Sequence, residues 1–261
     1  MKDFTKEGLV ESLVAIRDKG WIKTRRKNND GGIGNTLEDL LGIEENNLPL
    51  PNAAEWELKT QKKGTTALVT IFHKEPSPTA YRFVPSVLLP NYGWIHKKAG
   101  DKYPLTEMSF RQTIRSGQFS NRGFSINVDY QEEKVLVEFN FAHIDQSVHG
   151  KWAEGVRQKI GTGNLSPQPY WGFDDLFHKA GVKLYNCFFV QAATKRIKGE
   201  LYFRYEDIYM LKQFDKDRFI TAIDEGNIYI DFDARTGHNH GTKFRLRRDA
   251  LIDLYTQVQQ Y

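Results

Sequence analysis

The sequence predicts a mixed α/β fold, and three observations carry that prediction. From Ala54 through Glu55, Trp56, Glu57, Leu58 and Lys59 apolar and charged residues alternate with the period of two that a half-buried strand requires. Residues 3–19 place Leu9, Leu13 and Ile16 at i, i+4 and i+7, with Val10 and Val14 beside them, which is the period of an amphipathic helix closing at Gly20. Residues 182–190 include the apolar run Leu184-Tyr185-Asn186-Cys187-Phe188-Phe189-Val190, long enough for a central strand.

In order along the chain, the first helix gives way to a basic loop at Lys23, Arg25, Arg26 and Lys27 and a turn-rich segment, residues 28–34. A second helix is expected from Asn35 as N-cap, with Glu38 three residues on as in a capping box and Leu37, Leu40 and Leu41 on its buried face. Pro49 and Pro51 make an extended entry into the alternating strand. Residues 65–73 follow the turn Lys62-Lys63-Gly64 and read as its hairpin partner. Residues 75–122, with prolines at 76, 78, 85, 90 and 104, read as long loops. A second hairpin spans 124–130 and 134–139 around Gln131-Glu132-Glu133. A helix over 173–180 leads into the apolar strand. A strand over 201–205, helices over 206–213 and 217–225, strands over 227–232 and 242–246 and a closing helix from Asp249 complete the reading, with no internal repeat.

The chain has 261 residues, 39% hydrophobic and 13% aromatic, enough for one large domain or two lobes sharing a core. No apolar run approaches the roughly 18 residues of a membrane helix, and residues 1–5 lack the apolar region of a signal peptide, so a cytoplasmic location without membrane association is expected. Cys187 is the single cysteine, which excludes an internal disulfide and argues against a structural zinc site; inside an apolar run it reads as a small buried hydrophobe. The net charge of +4 is mild, but its distribution is not. Lys23, Arg25, Arg26 and Lys27 form one cluster and Lys243, Arg245, Arg247 and Arg248 another, as phosphate grips or as solvated surface.

Glu57 and Lys59 share one face of their strand, and Asn52 stands at its entrance. Taken alone, an E-x-K tripeptide is as readily an exposed strand face as a catalytic site. With the helix acid Glu38 and the proline-led entry, however, it resembles the core of the PD-(D/E)xK nucleases. The longer pattern of Gly20-Trp21, Lys23-Thr24-Arg25-Arg26-Lys27, Gly32-Ile33-Gly34-Asn35-Thr36-Leu37-Glu38-Asp39-Leu40-Leu41, Glu44-Glu45-Asn46-Asn47-Leu48 and Glu57-Leu58-Lys59-Thr60 is similar to the MvaI/BcnI group of restriction endonucleases, itself similar to the mismatch-repair nickase MutH. His238-Asn239-His240-Gly241-Thr242-Lys243-Phe244-Arg245, preceded by Asp231, resembles the recognition segment of that group.

The resemblance implies a central mixed sheet flanked by helices, with two lobes forming a DNA cleft: a catalytic lobe over 1–195 (core 1–75 and 124–195, insertion 76–123) and a recognition lobe over 196–261. It implies a monomeric type II endonuclease that hydrolyses duplex DNA with one or two Mg²⁺ ions and no organic cofactor, nicking the two strands in succession. Within it Glu57, the Leu58 carbonyl and position 52 would hold metal, Lys59 would orient or help deprotonate the attacking water, and Glu38 would act through metal-bound water. Lys23, Arg25, Arg26, Lys27, Lys62, Lys63 and Lys243 are the phosphate candidates. His73, Asp231, Asp233, Arg235, His238, His240 and Arg245 are the base-reading candidates, since arginine reads guanine bidentately and aspartate accepts from cytosine. The bland alternatives are an Asp233–Arg235 pair, solvated loop histidines and an Arg245 that touches phosphate alone. The sequence departs from the family at Asn52, which occupies the first catalytic aspartate position. An amide binds a divalent cation far more weakly than a carboxylate, so the chain is expected to bind DNA and cleave it poorly, whether the asparagine is a deliberate replacement or natural. A strand-specific nickase and a catalytically inactive DNA-binding protein are the alternatives.

Overall fold

The computed structural model describes residues 5–24, 32–43, 53 and 55–261, apart from the side chains at 248 and 249. In chain order the elements are α1 (Lys6–Asp18), β1 (Ile22–Lys23), α2 (Gly32–Leu41), β2 (Glu57–Lys62), β3 (Val69–His73), α3 (Leu89–Tyr92), β4 (Trp94–Ile95), β5 (Met108–Ile114), β6 (Arg122–Asp129) and β7 (Lys134–Ile144). They continue with α4 (Gln146–Ile160), β8 (Tyr170–Gly172), α5 (Phe173–Leu184), β9 (Asn186–Ile197), β10 (Glu200–Phe214), α6 (Lys216–Asp224), β11 (Ile228–Arg235), β12 (His238–Asn239), β13 (Lys243–Leu246), α7 (Arg248–Asp253) and β14 (Tyr255–Gln260). The chain divides into two compact units, one of residues 1–69, 180–216 and 247–261 and the other of 70–179 and 217–246. This differs from the single boundary at 195/196 expected of the sequence. That boundary would cut the β9–β10 hairpin, whose register runs unbroken from Glu200↔Ile197 to Tyr205↔Ala192.

In the first unit the described strands form one sheet in the order β1-β10-β9-β2, with β14 also on β10. β2 runs parallel to β9, Glu57 facing Cys187 and Lys59 facing Phe189. Alternation then sends Leu58 to one side and Glu57 and Lys59 to the other. On the Leu58 side, Leu9, Leu13 and Ile16 of α1 and Leu37 and Leu41 of α2 bury against Trp56, Phe188, Val190, Phe203 and Tyr205. α1 is capped by Thr5, whose Oγ1 accepts from Gly8 N at 3.1 Å. A Cβ added to Gly34 of α2 would stand 3.2 Å from Thr60 Oγ1, so the helix lies close upon β2.

The second unit pairs strands in the order β3-β13-β11-β5-β4, with β12 on β11, and carries a separate sheet β6-β7-β8. Its core is aromatic: Phe72 stacks on Phe244 at 4.8 Å, and Phe110 meets Phe232 and Phe124 edge-on at 5.7 and 5.5 Å. The β6–β7 hairpin forms where expected, its turn held by Asp129 Oδ1, which accepts from Gln131 N and Glu132 N.

Several expectations are corrected. β3 pairs with β13, not with β2, so the anticipated hairpin does not form. α2 begins at Gly32, which puts Asn35 inside the helix rather than at its cap and removes the capping-box role for Glu38. Residues 206–213 are strand, because β10 pairs with β9 on one side and with β14 on the other and buries Ile208, Met210 and Leu211. The loop-rich 75–122 stretch holds the central strand β5, α4 was unread, and the closing helix is followed by β14.

Phe188 packs at 4.7 Å on Trp56, and both side chains are fully buried. Phe188→Ala should lower the unfolding free energy by about 3–5 kcal/mol in urea titration. A loss below about 1 kcal/mol would show that this side of the sheet is not the core of the unit.

Candidate active site

β2 is the edge strand of its sheet, and its second face holds a carboxylate almost completely removed from water. Glu57 is 2% exposed. Such a charge is tolerated only when paired. Lys59 Nζ donates to Glu57 Oε1 at 2.6 Å, and Lys183 Nζ of α5 stands 3.3 Å from Oε2; the two lysine side chains are 14% and 20% exposed. The Oε2 contact is an ion pair without hydrogen-bond geometry, so among the described residues Oε2 is a buried acceptor with no hydrogen bond. The sequence identified Glu57 and Lys59 but not Lys183. Its only signal is a lysine closing an otherwise apolar helix end just before the strand that pairs with β2.

Beneath this pair the Cys187 thiol is buried, and burial above all pushes its pKa up to about 12, with Glu57 adding to the effect and Lys59 opposing it. It is therefore a packing group at neutral pH, as its sequence context implied. Tyr255 covers it and donates to Leu184 O at 2.7 Å.

Of the other proposed catalytic positions, Asn52 lies outside the described residues. Glu38 is half-buried on α2, which packs on the Leu58 and Thr60 face of the sheet, opposite the face that carries Glu57. No group of three or more His, Cys, Asp or Glu among the described residues is arranged to hold a metal ion. What is present fits half of a magnesium site: among the described residues, a hard carboxylate oxygen without a hydrogen bond, on a strand with a ladder partner on one side alone, beside a lysine.

Arg25, Arg26 and Lys27 also lie outside the described residues. Lys23 forms an ion pair with Glu200, and Lys63 reaches both Glu206 and Asp207 at 2.8 Å. Those carboxylates raise the pKa of each lysine through their hydrogen bonds and also offset its charge. Lys62 is exposed.

In the second unit the base-reading candidates gather on one sheet face. Along β11 the residues Ile228, Ile230, Phe232 and Ala234 are buried, whereas Asp231, Asp233 and Arg235 face outward. Across the ladder Asp231 faces Thr113 of β5 and Lys243 of β13, and Asp233 faces Arg111. Asp233 is met by Arg111 Nε at 2.6 Å and by Lys243 Nζ at 3.4 Å, and Asp231 accepts from Arg245 at 3.1 Å and from the Thr113 hydroxyl at 2.9 Å. Burial pushes the Asp233 carboxyl up, but the Arg111 hydrogen bond and the charges of Arg111, Lys243 and His240 outweigh it and leave it below the ordinary value. Arg235 bonds Glu107 at 3.0 Å and lies over the Tyr103 ring while Asp233 meets Arg111, so the alternative of an Asp233–Arg235 pair gives way to two other pairs. His238 and His240 lie edge to face at 4.2 Å, and a Cβ on Gly241 would be 3.5 Å from His73 Cδ2, which places His73 beside their turn. Arg111 was missed because its strand was read as loop.

The model of the MvaI/BcnI restriction endonuclease family matches residues 10–255. The chain is similar to the solved restriction endonuclease MvaI–cognate DNA substrate complex, at TM-score 0.77 and 26% identity over 97% of each chain. It is also similar to restriction endonuclease MvaI in the absence of DNA, at TM-score 0.53 and 25% identity over 100% of this chain and 99% of that one. No curated protein matches the chain.

Removing one of the two ammonium groups around a buried carboxylate is costly even when the other remains. Lys183→Met should destabilise the protein by about 1–3 kcal/mol in chemical denaturation. Lys62→Ala, at the exposed end of β2, should stay within about 0.5 kcal/mol. Equal effects would remove Lys183 from the site.

Proposed function

The chain belongs to the MvaI/BcnI restriction endonuclease family, and we propose that it is a type II enzyme that hydrolyses both strands of duplex DNA at a short specific sequence by successive nicks from a monomer. The observation that carries the catalytic assignment is the buried Glu57 carboxylate, bonded to Lys59 through one oxygen and, among the described residues, without a hydrogen bond at the other. No helix among the described residues is long and apolar enough to cross a membrane.

In this reading the first unit is catalytic and the second reads sequence. Glu57 Oε2 and the Leu58 carbonyl would hold Mg²⁺, with position 52 as a further ligand. The metal would lower the pKa of water and offset charge on the pentavalent phosphate. Lys59 holds Glu57 in place and presents its remaining N–H bonds to the water or to a phosphate oxygen that gains negative charge as the pentavalent state forms. Lys62, with Lys23, Arg25, Arg26, Lys27 and Lys63, is assigned to phosphate contacts. The outward face of β11 and β13 is assigned to base edges, its acids and bases paired in advance so that each is oriented before DNA arrives.

Asn52 supports a second reading beside the first. With an amide at the metal-bridging position, the chain holds specific DNA without completing hydrolysis, and acts as a sequence-specific binding protein. One substitution separates the two. Asn52→Asp should raise Mg²⁺-dependent cleavage of a long plasmid on the order of a hundredfold, and Glu57→Gln in that background should abolish it. No gain in nicking from Asn52→Asp would overturn the endonuclease assignment.

Arginine contacts divide by their effect on selectivity. Arg235→Ala and Arg245→Ala should each cost about 1–3 kcal/mol of discrimination between the preferred and altered sites in competition binding. Weakening that is equal on every duplex would mark either one as a phosphate contact instead.

A further inference from the structure

Glu75 lies two residues beyond β3 and belongs to none of the groups assigned above. It is half-buried, and both its oxygens are engaged by the turn between β12 and β13. Oε1 accepts from Thr242 N at 2.8 Å and more weakly from Asn239 Nδ2 at 3.4 Å, while Oε2 accepts from the Thr242 hydroxyl at 3.3 Å. Asn239 in turn accepts from Gly241 N at 3.1 Å through Oδ1, and Lys74 N donates to Thr242 O at 3.0 Å. Gly241 adopts φ +83°, in the left-handed region that glycine enters without strain.

The turn held this way carries His238 and His240. One side of it is fixed by the sheet, through the pairings Arg235↔His238 and Ala234↔Asn239 and the bond from His240 N to Asp233 O at 2.9 Å. The other side, Gly241 to Thr242, is fixed by Glu75 from a separate segment of chain. Thr242 is 0% exposed, so its N–H and hydroxyl need partners inside the protein, and the carboxylate supplies both.

We propose that Glu75 is a positioning residue for sequence recognition: by clamping the turn at Thr242 and Asn239 it sets where His238 and His240 meet base edges. The inference rests on the reading of this sheet face as the base-reading surface. Glu75 touches no nucleotide in this account; it acts through the two histidines. Glutamine can replace it, since its carbonyl oxygen accepts from Thr242 N and its amide donates to the Thr242 hydroxyl, whereas alanine leaves both groups buried without a partner.

The test is selection of duplexes from a random-sequence pool by the full chain, with affinities then measured for the selected site and for a scrambled duplex. Glu75→Ala should lose about tenfold of the discrimination between these two, with binding to the scrambled duplex unchanged, and Glu75→Gln should restore most of it. His238→Ala and His240→Ala should lose preference at the same base positions as Glu75→Ala. Native discrimination by a folded Glu75→Ala protein, while the histidine variants lose theirs, overturns the role of Glu75 alone. Native discrimination by both histidine variants overturns the base-reading assignment of the turn. Should Glu75→Ala fail to fold, Asn239→Ala removes the bonds to Glu75 and Gly241 and should show a smaller loss at the same positions; native discrimination there overturns the proposal as well.

Discussion

The charge on Glu57 is the constraint on which the first unit depends. A carboxylate 2% exposed would cost several kcal/mol if left alone, and the fold surrounds it with two ammonium groups from different elements. Lys59 comes from the same strand two residues on, where pleating brings it to the same face. Lys183 comes from the end of α5, and it reaches Glu57 because β9, the strand that follows α5, runs parallel to β2 with Cys187 opposite Glu57. The parallel pairing, the apolar β9 and the end of α5 that precedes it are therefore parts of one arrangement. A strand buried on both faces can carry an acid only where the next elements deliver its partners.

The second unit meets the opposite problem. Its sheet has one aromatic face and one polar face, and the polar face is crowded with charges of both signs. Pairing Asp231 with Arg245, Asp233 with Arg111 and Lys243, and Arg235 with Glu107 removes repulsion and side-chain freedom together. Surface pairs of this kind contribute little to stability individually. In the proposed reading their contribution is orientation, which the unpaired side chains would lack.

The legible part of this protein was what local periodicity can carry. The E-x-K alternation, α1, the β6–β7 hairpin and β11 follow from spacing alone, because each has one apolar face and one polar face. Residues 206–213 read as helix because β10 is paired on both sides and buries residues from both faces, so its pattern loses the period of two. β5 was hidden by the proline-rich stretch around it. Lys183, Arg111 and Glu75 were out of reach for another reason: each acquires its meaning from a partner more than sixty residues away, Lys183 from Glu57, Arg111 from Asp233 and Glu75 from Thr242. Their identity as sites is a property of pairing, and no window of sequence contains it.

The route of the chain also limits how such a protein can change its target. The first unit is assembled from residues 1–69, 180–216 and 247–261, and β10, which pairs with β1, β9 and β14, lies within the middle one of these segments. No contiguous cassette therefore holds the proposed recognition surface, and exchanging everything beyond residue 195 between relatives would carry β10 and β14 away with it. Redesign of the proposed recognition surface therefore means replacing side chains on β5, β11 and β13 inside a backbone that stays whole.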